Sequence, residues 1–540
     1  MSTFQRKEII RIMVSLGLIF FAFTSLSLAE TQDDIIVDVK VPTRSIMPSI
    51  SGNIVAFSVL EYDIGVDLNG DGDLYDTWLA YYDVSTGKVS YTDIDLFNGA
   101  LKVSGNYILV TKAEIYAGLD LNGDGDTYDR IIFYYDILNG TSHNTMISCY
   151  NSPDILDNKI AFSTYEGNIG IDLNGDGDKK DAIMRYFDIT KGTIVNIGES
   201  PLNPIISNRV IAFSNYYLYY FDFLSGKLVN TQVPANYWSL SATEDKISFS
   251  VYESSVGQDL NGDEDKGDYI IGYIDLATGN TYYTGAETLA LDVTHASGNV
   301  ISFITPESNV GASGADLNGD GDKNDYVVRY YDTNTRRIIN TGAETTSVSN
   351  EVVVSGNIIA FVTYEGNVGR SGVDLNGDGI ISSYIVRYFN VTTNTMVNTG
   401  AVVSNLDVKI SGNIIAFTVS EQNVNRDLNG DGDKVDNIVR LVAVGGDIPA
   451  PPPLASFTAT PTSGYAPLLV QFTDASTNNP TAWSWTFGDG FDSTAQNPSH
   501  TYNNPGNYTV SLTVSNAAGS NTETKLNYIT VTPKPNNPPV

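Results

Sequence analysis

The chain has 540 residues, enough for more than one domain, and 42% of them are hydrophobic, which supports a packed core. Its formal net charge of −33 argues against binding to nucleic acid or to an anionic membrane surface. Tyr (33 residues) and Phe (21 residues) are abundant beside β-branched runs, which favours strands. The sequence therefore predicts an all-β fold.

The N-terminus predicts a secretory signal peptide over residues 1–29. Basic residues between Arg6 and Arg11 precede an apolar stretch from Ile12 to Leu28, and the small residue Ala29 stands before the expected cleavage point. A retained membrane anchor is the alternative, because the apolar stretch is nearly long enough to span a bilayer. We expect a secreted or cell-surface protein with no membrane span after signal removal, and we expect it to be monomeric.

After the signal, the chain repeats with a period of roughly 50 residues, a spacing typical of propellers and solenoids. In the last copy, strand Val408–Ile410, the turn Ser411–Asn413 and strand Ile414–Val419 precede an acidic loop. A third strand such as Asp325–Asp332, a Thr-Gly or Ser-Gly turn and a short fourth strand complete the unit. Four antiparallel strands per repeat indicate the blade of a β-propeller.

Ser-Gly-Asn-Ile-Ile-Ala-Phe, with Tyr-Tyr-Asp and Thr-Gly further on, resembles the blades of TolB-type propellers across residues 47–444. That resemblance implies a closed array around a central channel. An extra unit without an acidic loop, Ile205–Thr231, brings the predicted count to eight blades over residues 33–446, with seven blades as the alternative. The last unit lacks a fourth strand, and we expect Asp34–Val39 to supply it and so remove the exposed edges.

The acidic loop is the most regular part of the repeat. It reads Asp-Leu-Asn-Gly-Asp-Gly-Asp-Leu-Tyr-Asp from Asp67 to Asp76, and six further copies begin at Asp120, Asp172, Asp259, Asp316, Asp374 and Asp427. Carboxylates, a carboxamide and Gly in this order suit a hard cation with oxygen ligands. The first half resembles calcium loops of EF-hands, dockerins and integrin-type propellers. However, the acid expected at position 12 is missing and an Asp stands at position 10 instead, so no flanking EF-hand helices are expected.

A Glu precedes every acidic loop and is absent from the unit without one. It lies six residues before the first Asp in five repeats, and nine residues before it, at Glu307 and Glu365, in the two repeats with a three-residue insertion. This Glu either supplies the missing carboxylate or is a solvated residue at a strand end. We predict the former, which gives up to seven Ca²⁺ sites; the competing interpretation is that the loops are solvated Asx-turns.

Loop by loop, the predicted ligands are Glu61, Asp67, Asn69, Asp71, Asp73 and Asp76; Glu114, Asp120, Asn122, Asp124, Asp126 and Asp129; Glu166, Asp172, Asn174, Asp176, Asp178 and Asp181; Glu253, Asp259, Asn261, Asp263, Asp265 and Asp268; Glu307, Asp316, Asn318, Asp320, Asp322 and Asp325; Asp374, Asn376 and Asp378; and Glu421, Asp427, Asn429, Asp431, Asp433 and Asp436. Two loops depart from the pattern. Glu264 replaces a Gly, which predicts backbone strain. The loop at Asp374 lacks both later acids and is expected to be the weakest site or empty.

A Pro-rich linker, residues 447–454, leads to a patterned C-terminal segment. Its motifs, Trp483–Gly490 and Asn497–Tyr502 followed by a Pro-Gly-Asn-Tyr turn, resemble a PKD domain over residues 455–532, which implies an Ig-like β-sandwich of seven strands. His500 and Tyr502 are predicted to be structural. The tail, residues 533–540, is expected to be disordered.

The chain shows no nucleophile elbow, phosphate loop or zinc-ligand pattern, and Cys149 is its single cysteine, expected to be buried. The leading hypothesis is a non-catalytic calcium-binding scaffold or adhesion protein whose partners are surface glycans or extracellular proteins. The alternative is an extracellular polysaccharide-active enzyme, a glycosidase or lyase built on the propeller with the PKD module as an accessory.

Overall fold

The computed structural model describes residues 34–534 apart from 44–47, 97–98, 200–202, 236–238, 290–293, 347–351, 405, 447–452, 454, 477–479 and 517–518. The predicted signal peptide, most of the predicted linker and most of the predicted tail lie outside the described residues. Among the helices in the described part of the chain, none has the length and hydropathy needed to cross a membrane.

The described residues contain eight four-stranded antiparallel sheets, numbered here in chain order. In sheets 1 to 7, the chain runs through four neighbouring strands and then passes to the next sheet. Sheets 1 to 4 consist of β2 (Ser49–Ser51), β3 (Ile54–Leu60), β4 (Thr77–Asp83), β5 (Lys88–Asp95); β6 (Leu101–Ser104), β7 (Tyr107–Ala113), β8 (Arg130–Asp136), β9 (Thr141–Ser148); β10 (Asp154–Leu156), β11 (Lys159–Tyr165), β12 (Ala182–Asp188), β13 (Thr193–Glu199); and β14 (Ile205–Ile206), β15 (Val210–Asn215), β16 (Tyr217–Asp222), β17 (Lys227–Pro234). Sheets 5 to 8 consist of β18 (Ser241–Ala242), β19 (Lys246–Tyr252), β20 (Tyr269–Asp275), β21 (Thr281–Thr288); β22 (His295–Ser297), β23 (Val300–Pro306), β24 (Tyr326–Asp332), β25 (Arg337–Thr345); β26 (Val352–Ser355), β27 (Ile358–Tyr364), β28 (Tyr384–Asn390), β29 (Thr395–Val402); and β30 (Lys409–Ser411), β31 (Ile414–Ser420), β32 (Asn437–Ala443), β1 (Ile35–Pro42).

Sheet 8 joins the two ends of this region, because its outer strand β1 comes from the N-terminal side. β1 pairs antiparallel with β32, with Ile36 opposite Val442. Arg440 donates two hydrogen bonds to the Asp38 carboxylate, at 2.6 and 3.1 Å. The prediction that the segment beginning at Asp34 supplies the missing fourth strand is therefore confirmed by the strand pairing.

Each sheet buries its faces against its neighbours in sequence. Apolar clusters join sheets 1 and 2, 2 and 3, and so on through 7 and 8, and a further cluster joins sheet 8 to sheet 1. A Phe in the second strand of seven sheets is completely buried in these clusters: Phe57, Phe162, Phe213, Phe249, Phe303, Phe361 and Phe417. The contacts are cyclic, so both faces of every sheet are covered and alternation along the second strand is replaced by a nearly continuous apolar run.

A Ser at the end of the first strand connects many of the sheets to the next. The backbone N–H of Gly52 in sheet 1 donates to Ser411 Oγ of sheet 8 at 2.8 Å, and the N–H of Gly412 in sheet 8 donates to Ser355 Oγ of sheet 7 at 2.9 Å. The same bond recurs at Gly105, Asp157 and Gly356, whose acceptors are Ser51, Ser104 and Ser297. The repeated Ser-Gly-Asn motif therefore makes a tight turn and also fixes the neighbouring sheet.

Seven sheets carry a short helical turn between the second strand and the acidic loop. Five of these turns are α-helical: α1 (Glu61–Ile64), α2 (Glu114–Ala117), α3 (Glu166–Ile169), α4 (Glu253–Val256) and α5 (Glu421–Val424). The two repeats with the insertion have 3₁₀ turns instead, at Glu307–Asn309 and Glu365–Asn367, and further 3₁₀ turns occupy Gly311–Ser313 and Val444–Gly446. Sheet 4 has no such turn, since only Tyr216 separates β15 from β16.

The C-terminal region is a separate pair of sheets around one core. Its strands are β33 (Phe457–Thr460), β34 (Ser463–Tyr465), β35 (Leu468–Asp474), β36 (Ala482–Thr486), β37 (Asp492–Ser493), β38 (Ser499–Tyr502), β39 (Gly506–Asn516) and β40 (Gly519–Thr532). They form a three-stranded sheet, β33-β35-β38, and a five-stranded sheet, β34-β40-β39-β36-β37. The predicted count of seven strands was wrong by one, because the hairpin after β36 adds the two-residue strand β37.

Aromatic side chains fill this core, and His500 packs among them. Trp485 is completely buried, with its ring centroid 5.1 Å from that of Phe457. The His500 ring stacks on Phe487 at 4.4 Å and its Nε2 lies 2.8 Å from an Asp489 carboxylate oxygen. These contacts support a structural role for His500, as the sequence predicted.

Candidate metal centre

The Glu before each acidic loop and the tenth residue of the loop, an Asp in six loops and Ser383 in sheet 7, are brought together by the sheet itself. The backbone N–H of Glu61 donates to the Asp76 carbonyl at 3.0 Å, directly beyond the last pair of the β3–β4 ladder. The same bond joins Glu253 to Asp268 at 3.0 Å and is present in all seven sheets that carry a loop. The loop is therefore an insertion at a strand end, and its two ends are fixed by the ladder.

Every one of these seven Glu side chains is completely buried: Glu61, Glu114, Glu166, Glu253, Glu307, Glu365 and Glu421. The alternative that they are solvated residues at a strand end is therefore wrong. In each case Oε1 accepts the backbone N–H of the loop's Leu, as between Glu61 and Leu68 at 2.7 Å. In sheet 1, Trp78 Nε1 also donates to this oxygen, at 2.9 Å.

Five sheets bring three carboxylates within reach of one ion. Ligand oxygens of the buried Glu and of the Asp residues at positions 7 and 10 lie within 4.8 Å of one another. The groups are Glu61, Asp73, Asp76; Glu166, Asp178, Asp181; Glu253, Asp265, Asp268; Glu307, Asp322, Asp325; and Glu421, Asp433, Asp436. Clustered carboxylate oxygens of this kind are the ligands that Ca²⁺ prefers.

In two of these groups one carboxylate oxygen has no protein partner. Oε2 of Glu61 and Oε2 of Glu253 are buried and accept no hydrogen bond. A buried ionised oxygen without a partner is costly, and here it lies beside two further carboxylates. A cation among the three carboxylates would satisfy this oxygen, so the residues present fit a metal ion.

The earlier predicted ligands organise the loop backbone. Asp67 accepts the N–H groups of Gly70 at 2.6 Å and Gly72 at 3.0 Å. Asn69 accepts the N–H of Asp71 at 3.0 Å, and its Nδ2 donates to the Asp76 carboxylate at 2.7 Å. Positions 1, 3 and 5 thus hold the turn in shape, and in the described residues no carboxylate from positions 1 or 5 belongs to the three-carboxylate groups.

Sheets 2 and 7 differ from the other five, and no three-carboxylate group is found in their described loops. In sheet 2, Glu114 Oε2 accepts the Asp129 N–H at 3.1 Å, and Asp129 also accepts Asn168 Nδ2 of sheet 3 at 2.8 Å. In sheet 7, Glu365 Oε2 accepts the Ser383 N–H at 2.9 Å. The sequence predicted the incomplete site in sheet 7, because its loop lacks both later acids. Sheet 2 has every predicted ligand residue, so the sequence did not predict that its three carboxylates would fail to gather.

Burial and, after it, neighbouring carboxylates raise the pKa of several Asp residues at the tenth loop position. Partial burial, followed by neighbouring carboxylates, raises the pKa of Asp268 to about 6. Burial is also the main cause for Asp325 and Asp436, whose pKa values are likewise raised to about 6. These groups therefore resist carrying their full negative charge together, as expected for a site that a cation would complete.

Side chains outside the predicted ligand set hold the loops in place. In four loops the Lys at position 8 donates a hydrogen bond to a backbone carbonyl just before the loop. Lys266 donates to Gly257 at 2.7 Å, and Lys434 donates to Asn425 at 3.0 Å. Fourth-strand Asn residues donate to the carbonyl of the loop's Leu, as Asn340 does to Leu317 at 2.6 Å. Their regular recurrence was the signal that sequence reasoning overlooked.

Strain occurs at one loop position, as predicted. Glu264 takes the place of the Gly found elsewhere, and its φ is +78°. Its N–H nevertheless donates to Asp259 at 3.1 Å, the bond that Gly72 makes to Asp67 in sheet 1. The loop therefore keeps its shape at the expense of an unfavourable backbone conformation.

Comparison with known proteins characterises the C-terminal region. Residues 449–531 match the family model of the PKD domain. No curated protein matches the chain in sequence. Similar solved structures include one from work on carbohydrate-binding modules of the β-sandwich superfamily, at 31% identity and a TM-score of 0.15. The match covers 16% of this chain and 36% of that chain. They also include the PKD1 domain of the Vibrio cholerae metalloprotease PrtV (31% identity, 15% and 95% covered, TM-score 0.13). Another is the β-propeller domain of the Trilobed protease from Pyrococcus furiosus (9% identity, 76% and 97% covered, TM-score 0.39).

Proposed function

We propose that this chain is a secreted or cell-surface calcium-binding scaffold, an adhesion protein that contacts glycans or extracellular proteins without catalysis. In this proposal the eight sheets are the blades of a propeller and the PKD domain is an accessory module. The observation that carries the proposal is the set of buried Glu residues, two of them with an unpaired carboxylate oxygen among further carboxylates. Ca²⁺ is the cofactor, because it accepts several carboxylates in flexible geometry.

The geometry favours five well-formed sites of the seven predicted. Sheets 1, 3, 5, 6 and 8 carry the three-carboxylate groups, while the described loops of sheets 2 and 7 carry none. Extracellular calcium modules bind with dissociation constants of about 0.1–1 mM, which suits a scaffold outside the cell. Calcium then stabilises the folded chain by mass action.

Calcium titration by calorimetry on the full chain, stripped with EGTA and then dialysed, tests this proposal. We expect binding of about five Ca²⁺ ions together with a calcium-dependent rise in the unfolding temperature. Mg²⁺ at equal concentration serves as the control, since it demands a stricter octahedral geometry and should stabilise the chain less. Absence of any heat of binding and of any thermal shift would overturn the proposal.

A further inference from the structure

A cavity of about 210 Å³ opens between sheets 4 and 5, at the one place where an acidic loop is missing. Among the described residues, none with a charged side chain lines it. The lining residues are Ser214, Tyr216, Pro234, Ala235, Tyr252, Ser255 and Tyr269. Five of these seven residues carry a hydroxyl group.

The cavity exists because sheet 4 has a tight hairpin in place of a loop. At two other places an acidic loop is bonded to the next sheet. Asn168 of sheet 3 donates to Asp129 in the loop of sheet 2, and Arg370 of sheet 7 donates to the Gly321 carbonyl in the loop of sheet 6. The hairpin at Tyr216 is too short to make an equivalent contact with sheet 5, so the corresponding space stays open.

The hairpin that borders the cavity is built around a strained aromatic residue. Tyr216 has a φ of +67°, a conformation that a bulky side chain rarely adopts. Its side chain is 67% exposed, and its ring lies edge-on to that of Tyr217 at 4.8 Å. Gly would be the residue of least strain here, so a large ring held in this conformation points to a use for the ring.

The opposite wall offers a second aromatic surface. The Tyr252 and Tyr269 ring centroids lie 4.9 Å apart with the planes tilted by 36°, and Tyr252 is 36% exposed. At the base, Ser214 Oγ donates to the Ala235 carbonyl at 2.8 Å and keeps its lone pairs as acceptors. The cavity thus combines flat apolar ring faces with hydroxyl groups at their edges.

We propose that this cavity binds one neutral pyranose ring of a glycan. A pyranose has apolar C–H faces for the Tyr rings and hydroxyl groups for the Ser and Tyr hydroxyls, and the cavity is smaller than a drug-sized pocket, which suits a single ring. Anionic sugars are disfavoured by the net charge of −33 and by the lack of a basic group in the lining. A peptide side chain would not need so many hydroxyl groups. The inference rests on the proposed glycan contact and names its site.

Titration of the full calcium-saturated chain with neutral gluco-, manno- and galacto-oligosaccharides by calorimetry tests the proposal. We expect one of these probes to bind, and Tyr252→Ala to weaken that binding at least about tenfold by removing a ring face. Tyr216→Gly removes the other ring and also relieves the backbone strain, so it should weaken binding while leaving the unfolding temperature equal or higher. That combination cannot arise from a misfolded variant.

Sheet 7 offers a matched control. Tyr364 and Tyr384 repeat the Tyr pair, with centroids 4.9 Å apart and planes at 41°, beside a sheet that has its loop. Tyr364→Ala should leave sugar binding unchanged. The proposal would be overturned if the wild-type chain bound none of the sugars, or if Tyr252→Ala kept full affinity. It would also be overturned if Tyr364→Ala weakened binding equally, or if a Pro- and Tyr-rich peptide bound in the cavity when no sugar did.

The two proposals can fail separately. Sugar binding that depends on Tyr252 in a chain that takes up no Ca²⁺ would support the cavity and overturn the calcium scaffold. Stoichiometric Ca²⁺ binding with no sugar bound would overturn the cavity proposal and leave the calcium sites standing. Repeating the sugar titration in EGTA separates these outcomes.

Discussion

Glu253→Gln isolates the contribution of one buried carboxylate to one calcium site. Glu253 Oε1 accepts the Leu260 N–H at 2.5 Å, a bond that the Gln carbonyl can keep, while Oε2 has no partner and faces Asp265 and Asp268. The change therefore removes a negative charge and a ligand atom with almost no change in volume. We expect the variant to bind one Ca²⁺ ion fewer than the wild-type chain.

The effect on stability should change sign with calcium. Without calcium, the wild-type chain buries an unpaired carboxylate oxygen beside two carboxylates, and removing that charge should raise the free energy of unfolding by about 1–3 kcal/mol. With calcium at about 100 times the dissociation constant, each site stabilises the fold by about 2.7 kcal/mol, which the variant loses. At about 2.1 cal/mol/K per residue and roughly 400 residues, that loss lowers the unfolding temperature by about 3 °C.

Differential scanning calorimetry in EGTA and in about 10 mM CaCl₂, combined with titration for stoichiometry, measures both effects. Glu365→Gln is the matched control, because Glu365 is equally buried but its loop has Ile380 and Ser383 in place of the two later Asp residues. It should cost stability in both buffers and leave the calcium stoichiometry unchanged. If Glu253→Gln kept the wild-type stoichiometry, or if Glu365→Gln also lost one ion, the assignment of the buried Glu as a ligand would be refuted.

Three further predictions concern the frame around the sites. Arg440→Met leaves the Asp38 carboxylate unpaired and should cost about 3 kcal/mol in urea unfolding, with most of the loss restored by adding Asp38→Asn; an unchanged midpoint would contradict the role given to β1. Glu264→Gly should raise the free energy of unfolding by about 1 kcal/mol without altering the number of bound Ca²⁺ ions, and a destabilised variant would contradict the strain at φ +78°. Burial, helped by a nearby Lys, lowers the pKa of His295 to about 4, below the usual value of 6.5. Between these pH values the unfolded chain binds a proton that the folded chain does not, so stability should fall by up to about 3 kcal/mol as the pH drops from 7 to 4. His295→Gln should flatten that slope, and an equal slope in the variant would rule this cause out.

The sequence predicted the sheets well because their signals are local and repeated. Periodic strands, the Ser-Gly-Asn turn and the acidic loop recur at one spacing, and even the repeat without a loop, Val210–Asn215 followed by Tyr217–Asp222, was found by its strands. Pairing of Glu with each loop indicated a shared role. The complete burial of this Glu did not follow from the pattern, because a Glu at a strand end can equally well be solvated.

Contacts between sheets could not be read from the repeat. The hydrogen bond from Gly52 to Ser411 joins residues at opposite ends of the repeat array, and no local pattern marks it. In sheet 2, Asn168 of sheet 3 donates to one oxygen of Asp129, and the repeat does not predict this contact either. Sequence periodicity describes one unit well, whereas a neighbouring unit can change the chemistry of an identical motif.

If the loops bind calcium as proposed, we expect them to act as stabilisers and not as switches. The backbone bond between Glu253 and Asp268 holds the two ends of the loop, and Asp259 holds its turn through the N–H groups of Gly262 and Glu264, all with protein groups alone. The carboxylates are therefore already gathered by protein groups, and a bound cation would offset their mutual repulsion. A cation that enters such a preformed site has little chain to reorganise, so its binding energy goes into holding the strand ends together. The same reasoning explains why sheet 4 can dispense with the loop: a hairpin with no clustered charge needs no ion, and the space it leaves is free for another ligand.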